Sequence, residues 1–542
     1  MKRILFLIPP YFNAEDYLSE AKKVVLPAFT VPYGVLSLEA YLVENVTGPT
    51  EIDICDLNIS LNTLVYDRSS ENYQEVFEQV VLKYLQKAPQ FVCISALFSS
   101  SAQYIQGLVA ACKRYDPAIL TLAGGGLPSA DSLRILQLCP ELDAICKGEG
   151  ERPLLDLIEA ENPVDVLERH ISWITRRGAA AGKIPQHLFL EDLDTVPFFN
   201  YDKIDLNFYN NRSINKKNRG EARREMSIHT SRGCPFNCVF CSNPSLHGHR
   251  VRAMSVSRVI ADVQRMKDRF GMTDLLIEDD HFFHNMDRAK TILKELSRLD
   301  IRIEFPNGVA VYAINDEIAG LLSSAGVSVV ALAVESGSEY VLNTIIKKPL
   351  ITRRIRPAID SLRRHNVGVH VFIVVGLPGE KDVHRQETVD MLLENDFDWV
   401  HMYLAVPIVG SRLYDICIEN GYIDSSEAKN YVVSKSVIRT PDIDPVILEQ
   451  FAYETQLRVN FVHNSNMRHG RYDTAQQYLQ NVCEKYPGHA FGHHYLSVCL
   501  ARKGDQVLAE HHSRQAGEIF AADPFWRDLR DKFITPQQSA IS

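Results

Sequence analysis

Residues 230–244 read TSRGCPFNCVFCSNP, and this stretch sets three cysteines, Cys234, Cys238 and Cys241, in a C-x3-C-x2-C run with no fourth cysteine nearby. Three thiolates at this spacing can bind three corners of an iron–sulfur cubane and leave the fourth iron without a protein ligand. An open coordination position is typical of a catalytic metal centre, whereas a structural site is closed. The run therefore predicts a catalytic cluster whose open iron receives a reactant.

Two alternative interpretations of the cysteine run are a zinc site with a distant fourth ligand and a set of buried thiols. Zinc ribbons use paired C-x2-C knuckles, and the sequence holds no second pair. The eleven cysteines are an odd number and are scattered apart from this run, so a secreted disulfide framework is not expected. The sequence therefore predicts a protein of a reduced compartment, the cytoplasm.

Length and composition indicate a soluble chain of several domains. At 542 residues the chain exceeds one ordinary core, and about three or four domains are expected. Its formal net charge of −10 gives no reason to expect nucleic acid or an anionic membrane as a partner. The N-terminal MKRILFLIPP imitates a signal peptide, but its apolar run is short and ends in two prolines. No stretch approaches the roughly 18 apolar residues that a membrane span requires.

Residues 1–150 alternate short apolar strands with helical segments. The predicted strands are RILFLI, EIDICDL, FVCISAL and AILTLAG, and the predicted helices include residues 35–43 and 72–87. Near-continuous apolar strands between helices favour a parallel, doubly wound, Rossmann-like sheet, which binds ligands at the carboxyl ends of its strands. Residues 151–225 are interpreted as a connector, whose basic run 214–225 is a solvated loop or, alternatively, a lid or an anion-binding loop.

Residues 226–415 repeat the strand–helix alternation six times. The predicted strands are MSIHTS, DLLIED, RIEFPNG, SVVALAVE, VHVFIVV and WVHMYLAV. This pattern predicts a partial (β/α)6 barrel of the TIM type, in which the reactive groups stand where strands end and loops begin. The cysteine run follows the first of these strands, which is where a catalytic loop is expected.

Residues 416–542 form the last predicted region, which is helical throughout from about residue 445. Two glycine–alanine pairs recur at a spacing of 34 residues: Gly470 with Ala475, and Gly504 with Ala509. That period is typical of tetratricopeptide (TPR) helix pairs, so an all-α TPR-like region is predicted, with a candidate surface for a protein partner. Pro487 and Pro524 are interpreted as closing a helix each. The histidines of this tail are interpreted as solvated: His489, His493, His494, His511 and His512.

The CxxxCxxC signature, with the aromatic Phe240 before its last cysteine, resembles that of the radical S-adenosylmethionine (SAM) enzymes. In that family SAM chelates the open iron of a 4Fe–4S cluster through its amino and carboxylate groups. An electron from the reduced cluster cleaves SAM to methionine and a 5′-deoxyadenosyl radical. The resemblance implies that Cys234, Cys238 and Cys241 hold such a cluster and that Phe240 lies near the adenine.

Later motifs look like the barrel-strand ends of the same family, namely FPNGV (305–309), AVESGSE (333–339), VVGLPGE (374–380) and AVPIVGSRLY (405–414). The resemblance implies that Glu335, with Ser336 beside it, contacts the ribose of SAM. It also implies that Gly376, Pro378 and Gly379 form a turn that lines SAM.

The stretch IEDDHF (277–282) departs from the family, because many members carry Gly-Gly-Glu here to hold the amino group of SAM. Glu278, Asp279 and Asp280 are candidates for that role, and a solvated acidic loop is the alternative. Four nearby histidines are interpreted as ordinary surface or loop residues rather than as ligands of a second metal. They are His247, His249, His281 and His284.

Residues 1–150 resemble the cobalamin-binding domains that are fused to radical SAM enzymes. The residues that the resemblance assigns to cobalamin are Tyr33, Gly34, Asn58, Ser95, Leu97, Gly124, Gly125, Gly126, Glu149 and Gly150. Ser95 ends one predicted strand and the three glycines end the next, so hydroxyl and backbone can approach an inserted nucleotide tail. Asn58 stands where mutases place a cobalt-ligating histidine, which implies a lower cobalt face that is empty, water-bound or blocked by a side chain. The alternative is a domain that keeps this fold without the cofactor.

Together the two resemblances imply a cobalamin-dependent radical SAM methyltransferase. The adenosyl radical would abstract hydrogen from an unactivated carbon, and the substrate radical would take a methyl group from methylcobalamin. One alternative keeps the cofactors for a ring contraction, cyclisation or oxidation, and another is a non-catalytic cluster protein. The expected partners are a small-molecule substrate of specialised metabolism and a flavodoxin- or ferredoxin-like electron donor, with no nucleic acid and no membrane.

Overall fold

The structure is a computed structural model that describes residues 1–12, 14, 29–66, 72–209, 223–424 and 435–534. The chain forms two compact units, the first comprising residues 1–212, 224–288 and 406–432, and the second the remainder. Most of the basic run 214–225 lies outside the described residues. Among the described residues, no helix combines the length and apolar character needed to cross a membrane.

A six-stranded sheet forms the centre of the first unit, with strand order β2-β1-β3-β4-β5-β6. Strands β1 to β5 pair in parallel, and β6 pairs antiparallel with β5 at the edge. The apolar residues of β1 are almost completely buried because helices cover both faces of a parallel sheet. The predicted doubly wound sheet is confirmed. The strands are β1 (Lys2–Ile8), β2 (Thr50–Asp56), β3 (Phe91–Ser95), β4 (Leu120–Gly124), β5 (Ala144–Cys146) and β6 (Trp173–Ile174).

Helices alternate with these strands as the sequence predicts. The helices up to residue 209 are Tyr33–Asn45, Leu57–Tyr66, Tyr73–Leu85, Ala102–Tyr115, Gly126–Ala130, Ser132–Leu138, Glu151–Glu159, Pro163–Arg169, Arg176–Ala180 and Leu206–Tyr209. Short 3-10 turns occur along the chain at Ser99–Ser101, Leu193–Thr195, Tyr201–Lys203, Phe282–His284, Val311–Ala313 and Thr352–Arg354.

The first unit also holds two strand pairs around the cysteine run. β7 (Glu225–Ile228) pairs in parallel with β10 (Asp274–Ile277), and β8 (Ser231–Arg232) pairs antiparallel with β9 (Arg252–Ala253). The helix between β9 and β10, Val256–Phe270, begins at Ser255, whose hydroxyl accepts from the Arg258 N–H, and ends at the left-handed Gly271. Two more helices complete this unit, Pro244–His247 and Arg412–Glu419.

The second unit contains a parallel sheet of order β12-β13-β14, with β12 (Val329–Glu335), β13 (Gly368–Val375) and β14 (Trp399–Leu404). Alternate residues of β13 are buried and half-buried, as expected for a strand with one face on helices and one face less enclosed. β11 (Arg302–Glu304) precedes these strands. The helices are Asp316–Ser324, Ile355–Arg364 and Asp382–Glu394, and the helix Met286–Leu296 contains the sequence boundary at residue 288. The partial (β/α)6 barrel stays a prediction.

The C-terminal part of the second unit is helical, as predicted. Its helices are Pro445–Leu457, Ser465–Arg468, Tyr472–Lys485, Ala490–Lys503, Gln506–Ala522 and Pro524–Phe533, with a π-helical segment at Arg458–Val462. Ala475 and Ala509 of the 34-residue spacing lie in one buried core. The TPR-like assignment stays a prediction.

Pro524 directly follows Asp523, where the helix Gln506–Ala522 ends, and it also begins the next helix, because proline suits the first helical position. One expectation for this tail was wrong. His493 is buried rather than solvated, since its two ring nitrogens lie 2.9 Å from His512 Nδ1 and 3.0 Å from the Pro487 carbonyl oxygen.

Candidate active site

The cysteine run forms a loop of the first unit that the β8–β9 pair closes. Gly233 has φ of +96°, and a Cβ there would lie 2.5 Å from the Arg250 carbonyl oxygen, so only glycine fits directly before Cys234. The Cys234 N–H donates to the Gly248 carbonyl at 3.3 Å, and the Cys241 N–H donates to the Cys238 carbonyl at 3.0 Å. We call residues 233–251 the cluster loop.

Accessibility separates the three cysteines of this loop from the rest. Cys234, Cys238 and Cys241 are partly exposed, whereas the other eight, all in the described part of the chain, are buried. Burial raises the pKa of Cys93 to about 12, and such thiols do not readily become metal-binding thiolates. No group of three or more metal-ligating side chains among the described residues is arranged around a single ion. Ligands on three corners of a cubane need not converge on one point, so the donor set fits a cluster.

Two buried arginines stand side by side at the base of the cluster loop. In the β8–β9 pair Arg232 lies opposite Arg252, an arrangement that repels unless counter-charges are present. Glu149 accepts from Arg252 through both oxygens, at 2.6 and 2.8 Å. Glu151 accepts from Arg232 at 2.8 Å and from the Ser37 hydroxyl at 2.7 Å. Glu149 and Glu151, which follow β5, thus bind the two arginines that flank the cluster loop.

Glu149 is completely engaged within the protein. His247 Nδ1 lies 3.2 Å from its Oε1, and the Leu190 N–H donates to its Oε2 at 3.1 Å. Burial alone would raise the pKa of Glu149, but hydrogen bonds from His247 and Arg252 and the charges of both arginines hold that pKa far below its usual value. Removing one partner of such a buried pair costs about 3–5 kcal/mol.

The three acidic candidates after β10 have different surroundings. Asp279 is buried and accepts from the Thr230 N–H, from the Thr230 hydroxyl at 2.6 Å and from the Ser231 hydroxyl at 2.6 Å. Burial raises its pKa, and these bonds oppose the rise. Asp280 accepts from the Gly233 N–H at 3.3 Å, next to the first cysteine. Asp279 therefore binds Thr230 and Ser231, the residues that lead into the cluster loop. Asp280 remains a candidate for binding the amino group of SAM.

Glu278 belongs to a third arrangement, which centres on His229. Its Oε1 accepts from the Ser227 hydroxyl at 2.7 Å, and its Oε2 lies 3.6 Å from His229 Nε2. Burial lowers the pKa of His229, and the nearby acids act against that shift. The predicted cobalamin residue Tyr33 packs its ring edge-on against His229, with ring centroids 4.5 Å apart. Sequence reasoning did not single out His229.

His281 is a buried loop histidine, which agrees with the expectation of a surface or loop residue. Its ring centroid lies 5.3 Å from that of Phe236, a residue of the cluster loop. His281 therefore contributes to the packing of that loop.

Asn58, the predicted replacement for a cobalt ligand, has no exposed surface. Its Oδ1 accepts from the Tyr11 N–H at 2.8 Å. Its amide nitrogen donates to Asp56 Oδ1 at 2.7 Å and to the Pro9 carbonyl at 3.3 Å. Every polar atom of this side chain is thus used to join the ends of β1 and β2.

The other predicted cobalamin residues of the sheet lie at its carboxyl edge. Ser95 and Gly124 are register partners where β3 and β4 end. Gly125 has φ of +95°, and a Cβ there would lie 2.8 Å from the Ala96 carbonyl oxygen. Leu97 is 44% exposed. An apolar side chain held open at this edge fits a large planar ligand.

The remaining predicted residues of this domain lie at helix starts. Tyr33 and Gly34 begin the helix Tyr33–Asn45, and a Cβ on Gly34 would meet nothing within 4 Å. Gly150 precedes the helix Glu151–Glu159, and Gly126 begins the helix Gly126–Ala130.

The predicted SAM residues other than Phe240, which is half-buried in the cluster loop, lie in the second unit. Glu335 ends β12 with φ of +71°, after a register shift between Ala333 and Glu335. Its Oε1 accepts from the Lys348 ammonium at 2.8 Å. Ser336 has no exposed surface and its hydroxyl lies 3.1 Å from that of Thr388.

The Gly-Leu-Pro-Gly turn follows β13, as expected for a loop at the end of a strand. Gly376 and Gly379 have φ of +89° and +90°, which favours glycine at both positions. The Gly376 N–H donates to Glu380 Oε2 at 2.5 Å. Burial raises the pKa of Glu380 to about 7, although its backbone hydrogen bonds and Arg385 lower it. Pro378 is half-buried between the two glycines.

Two known protein families match separate parts of the chain. The radical SAM superfamily matches residues 228–392, and the B12 binding domain family matches residues 24–158. The cytidylyl-2-hydroxyethylphosphonate methyltransferase of Streptomyces wedmorensis is 29% identical over 386 residues, covering 66% of this chain and 72% of its own length.

Two solved structures have the same fold. The radical SAM methyltransferase TsrM from Kitasatospora setae, with cobalamin and a 4Fe–4S cluster bound, has a TM-score of 0.60 at 15% identity, covering 98% of this chain and 100% of its own. The cobalamin-dependent SAM radical enzyme OxsB, with aqua-cobalamin and SAM bound, has a TM-score of 0.57 at 15% identity, covering 98% and 75%.

These matches define the class, which is that of proteins joining a radical SAM domain to a B12-binding domain. The chain is a radical SAM enzyme with a B12-binding domain and is related to the cobalamin-dependent methyltransferases. Its domains are of the kinds that use a 4Fe–4S cluster with SAM and that bind cobalamin.

Proposed function

We propose that the protein is a cobalamin-dependent methyltransferase that methylates an unactivated carbon of a small molecule. The observation that carries this proposal is the pair of buried salt bridges, Glu149–Arg252 and Glu151–Arg232, by which the B12-binding domain holds the base of the cluster loop. These ion pairs join the segment after β5 of the B12-binding domain directly to the base of the loop that carries the three cysteines. The methyltransferase activity of the Streptomyces wedmorensis relative supports the same reaction class.

When bound, the cluster with SAM supplies a 5′-deoxyadenosyl radical, and cobalamin supplies the methyl group. The cysteines of the cluster loop would hold the cluster, and Asp280, which accepts from the Gly233 N–H next to Cys234, would accept the amino group of SAM. Glu335 accepts the ribose hydroxyls. Asn58 ties β1 to β2 and would leave no polar side-chain atom of its own for the cobalamin. Leu97 and the glycines at and after the end of β4 would hold the cobalamin at this edge of the sheet.

Methyl transfer can be tested before the substrate is known. The anaerobically purified protein, reconstituted with iron, sulfide and hydroxocobalamin, is incubated with a chemical reductant and SAM that carries a trideuterated methyl group. We expect S-adenosylhomocysteine, 5′-deoxyadenosine and a trideuterated methyl group on the cobalamin extracted from the protein, all measured by mass spectrometry.

Each other outcome identifies an alternative. Formation of 5′-deoxyadenosine without S-adenosylhomocysteine or labelled cobalamin would favour a ring contraction, cyclisation or oxidation and would overturn the methyltransferase. Absence of 5′-deoxyadenosine from a protein with a complete cluster would favour a non-catalytic cluster protein. The Cys238→Ala variant is the matched control and should produce no 5′-deoxyadenosine.

A further inference from the structure

The ion pair between Glu335 and Lys348 in the second unit joins two residues that are 13 positions apart. Lys348 Nζ lies 2.8 Å from Glu335 Oε1, and the two side chains are 14% and 10% exposed. Among the described residues this is the one hydrogen bond to the carboxylate, so Oε2 is left for a ligand. An ion pair this enclosed is screened much less by solvent than a surface pair.

The backbone is irregular on both sides of this pair. Glu335 has φ of +71° directly after the register shift in β12. The segment Val341–Ile346 is a π-helix that ends at Lys347 with φ of +62°. Left-handed non-glycine residues each cost of the order of 1 kcal/mol or more, and π-helical turns are frequent at functional sites.

These irregularities have one geometric result. The left-handed Lys347 reverses the chain after the π-helix, and the Lys348 N–H donates to the Leu342 carbonyl at 2.8 Å. Lys348 then points back to the end of β12 while its neighbour Lys347 stays exposed. A regular α-helix with an ordinary cap would not place the lysine there, so the strain is used to make this contact.

We propose that Lys348 is a positioning residue for SAM, which holds Glu335 by one oxygen so that the other oxygen accepts the ribose hydroxyls. This inference rests on the proposed function, because it takes Glu335 as the ribose-binding residue. Lys348 itself does not touch SAM. It balances the charge of the carboxylate and fixes its rotamer before SAM arrives, which lowers the cost of ordering that group on binding.

The test measures SAM affinity without turnover, by equilibrium dialysis of the reconstituted protein in its oxidised state. Lys348→Met keeps the length of the side chain and removes its charge, and we expect the dissociation constant for SAM to rise by about tenfold or more. Lys348→Arg restores a cation and should bind SAM within about threefold of the unmodified protein. Lys347→Met is the matched control, one residue away and exposed, and should leave SAM affinity unchanged.

A double-mutant cycle then tests whether Lys348 acts through Glu335. Glu335→Gln alone should weaken SAM binding, and adding Lys348→Met to it should weaken binding no further. Additive losses, or an unchanged affinity in Lys348→Met, would overturn the inference. Iron and cobalamin content of each variant is measured alongside, because a variant that merely misfolds would lose these cofactors as well.

Failure of this inference is distinguishable from failure of the proposed function. If the unmodified protein binds SAM and forms 5′-deoxyadenosine while Lys348→Met binds SAM equally well, the inference is wrong and the proposed function stands. If the unmodified protein with a complete cluster binds no SAM, both are wrong.

Discussion

Two buried carboxylates, Glu149 in the first unit and Glu335 in the second, are held by basic residues in different ways. Glu149 binds Arg252 with both oxygens and also meets Arg232, His247 and the Leu190 N–H, with 2% of its side chain exposed. Glu335 binds one lysine through one oxygen, and 10% of its side chain is exposed. A carboxylate with all of its hydrogen-bonding capacity used anchors structure, whereas one with capacity left over can receive a ligand.

The backbone at the two residues agrees with this distinction. Glu335 has a positive φ, and Glu149 is not among the non-glycine residues with positive φ in the described part of the chain. Strain at Glu335 aims its side chain, and the anchoring role of Glu149 requires no strain. Buried ion pairs thus fix the base of the cluster loop, whereas the backbone conformation of Glu335 orients its side chain at the end of β12.

The largest expected effect concerns the loop that Glu149 anchors. Replacing Cys234 by alanine should abolish cluster assembly and all formation of 5′-deoxyadenosine, because three ligands are the minimum for the site. Iron and sulfide analysis together with the visible absorption of the cluster measure this. Cys139→Ala, at a buried cysteine of the same unit, should retain the cluster. A cluster in Cys234→Ala would show that the loop is not the cluster site.

Arg252→Met tests the anchoring role next. It leaves Glu149 buried without its main partner, and we expect the free energy of unfolding to fall by about 3–5 kcal/mol, measured by urea unfolding. Glu149→Gln combined with Arg252→Met should recover part of that loss, because no unpaired buried charge remains. A loss below 1 kcal/mol, as for a surface pair, would remove the distinction between the two carboxylates.

The free energy of unfolding should depend on pH differently in the unmodified protein and in the variant Glu149→Gln. The folded pKa of Glu149 lies below its unfolded value of 4.5, so its contribution is complete above pH 4.5 and is lost as the pH falls further. The difference in unfolding free energy between the unmodified protein and Glu149→Gln should therefore shrink below that pH. An equal difference at pH 4 and pH 7 would contradict the assignment.

Glu380 should change the free energy of unfolding by less than Glu149 does, and it should lower stability at high pH where Glu149 raises it. Its folded pKa of about 7 exceeds the ordinary 4.5, so the protein loses stability as the pH rises between these values. Glu380→Gln keeps an acceptor for the Gly376 N–H and should be more stable than the unmodified protein by up to about 2 kcal/mol at pH 8, with little difference near pH 5. Urea unfolding at the two pH values measures this, and a gain that does not depend on pH would contradict it.

The strands were predictable from the sequence because buried apolar runs and turn signals are local features. RILFLI, FVCISAL and VHVFIVV lie in β1, β3 and β13 almost residue for residue. The helix Val256–Phe270 was likewise predictable, since Ser255 and Gly271 mark its ends in the sequence. The two-residue edge strand β6 was missed, because it carries no periodicity of its own.

The residues that support the site were harder to find. Arg232 stands two positions before Cys234, and a charged residue directly before the cysteine run could have marked it, but its partner Glu151 is 81 residues away. Lys348 could not be distinguished from Lys347 by sequence, because a π-helix decides which of the two points inward. Asn58 was assigned to cobalamin from its place in a motif, and only the three-dimensional structure reveals the hydrogen bonds that occupy its amide.

The most direct test of the account is the cofactor content of the anaerobically purified and reconstituted protein after desalting. We predict about one cobalamin and about one 4Fe–4S cluster retained per chain, as quantified by absorption spectroscopy and metal analysis. Retention of the cluster without cobalamin would make the B12-binding domain a scaffold, and methyl transfer through cobalt would have to be abandoned.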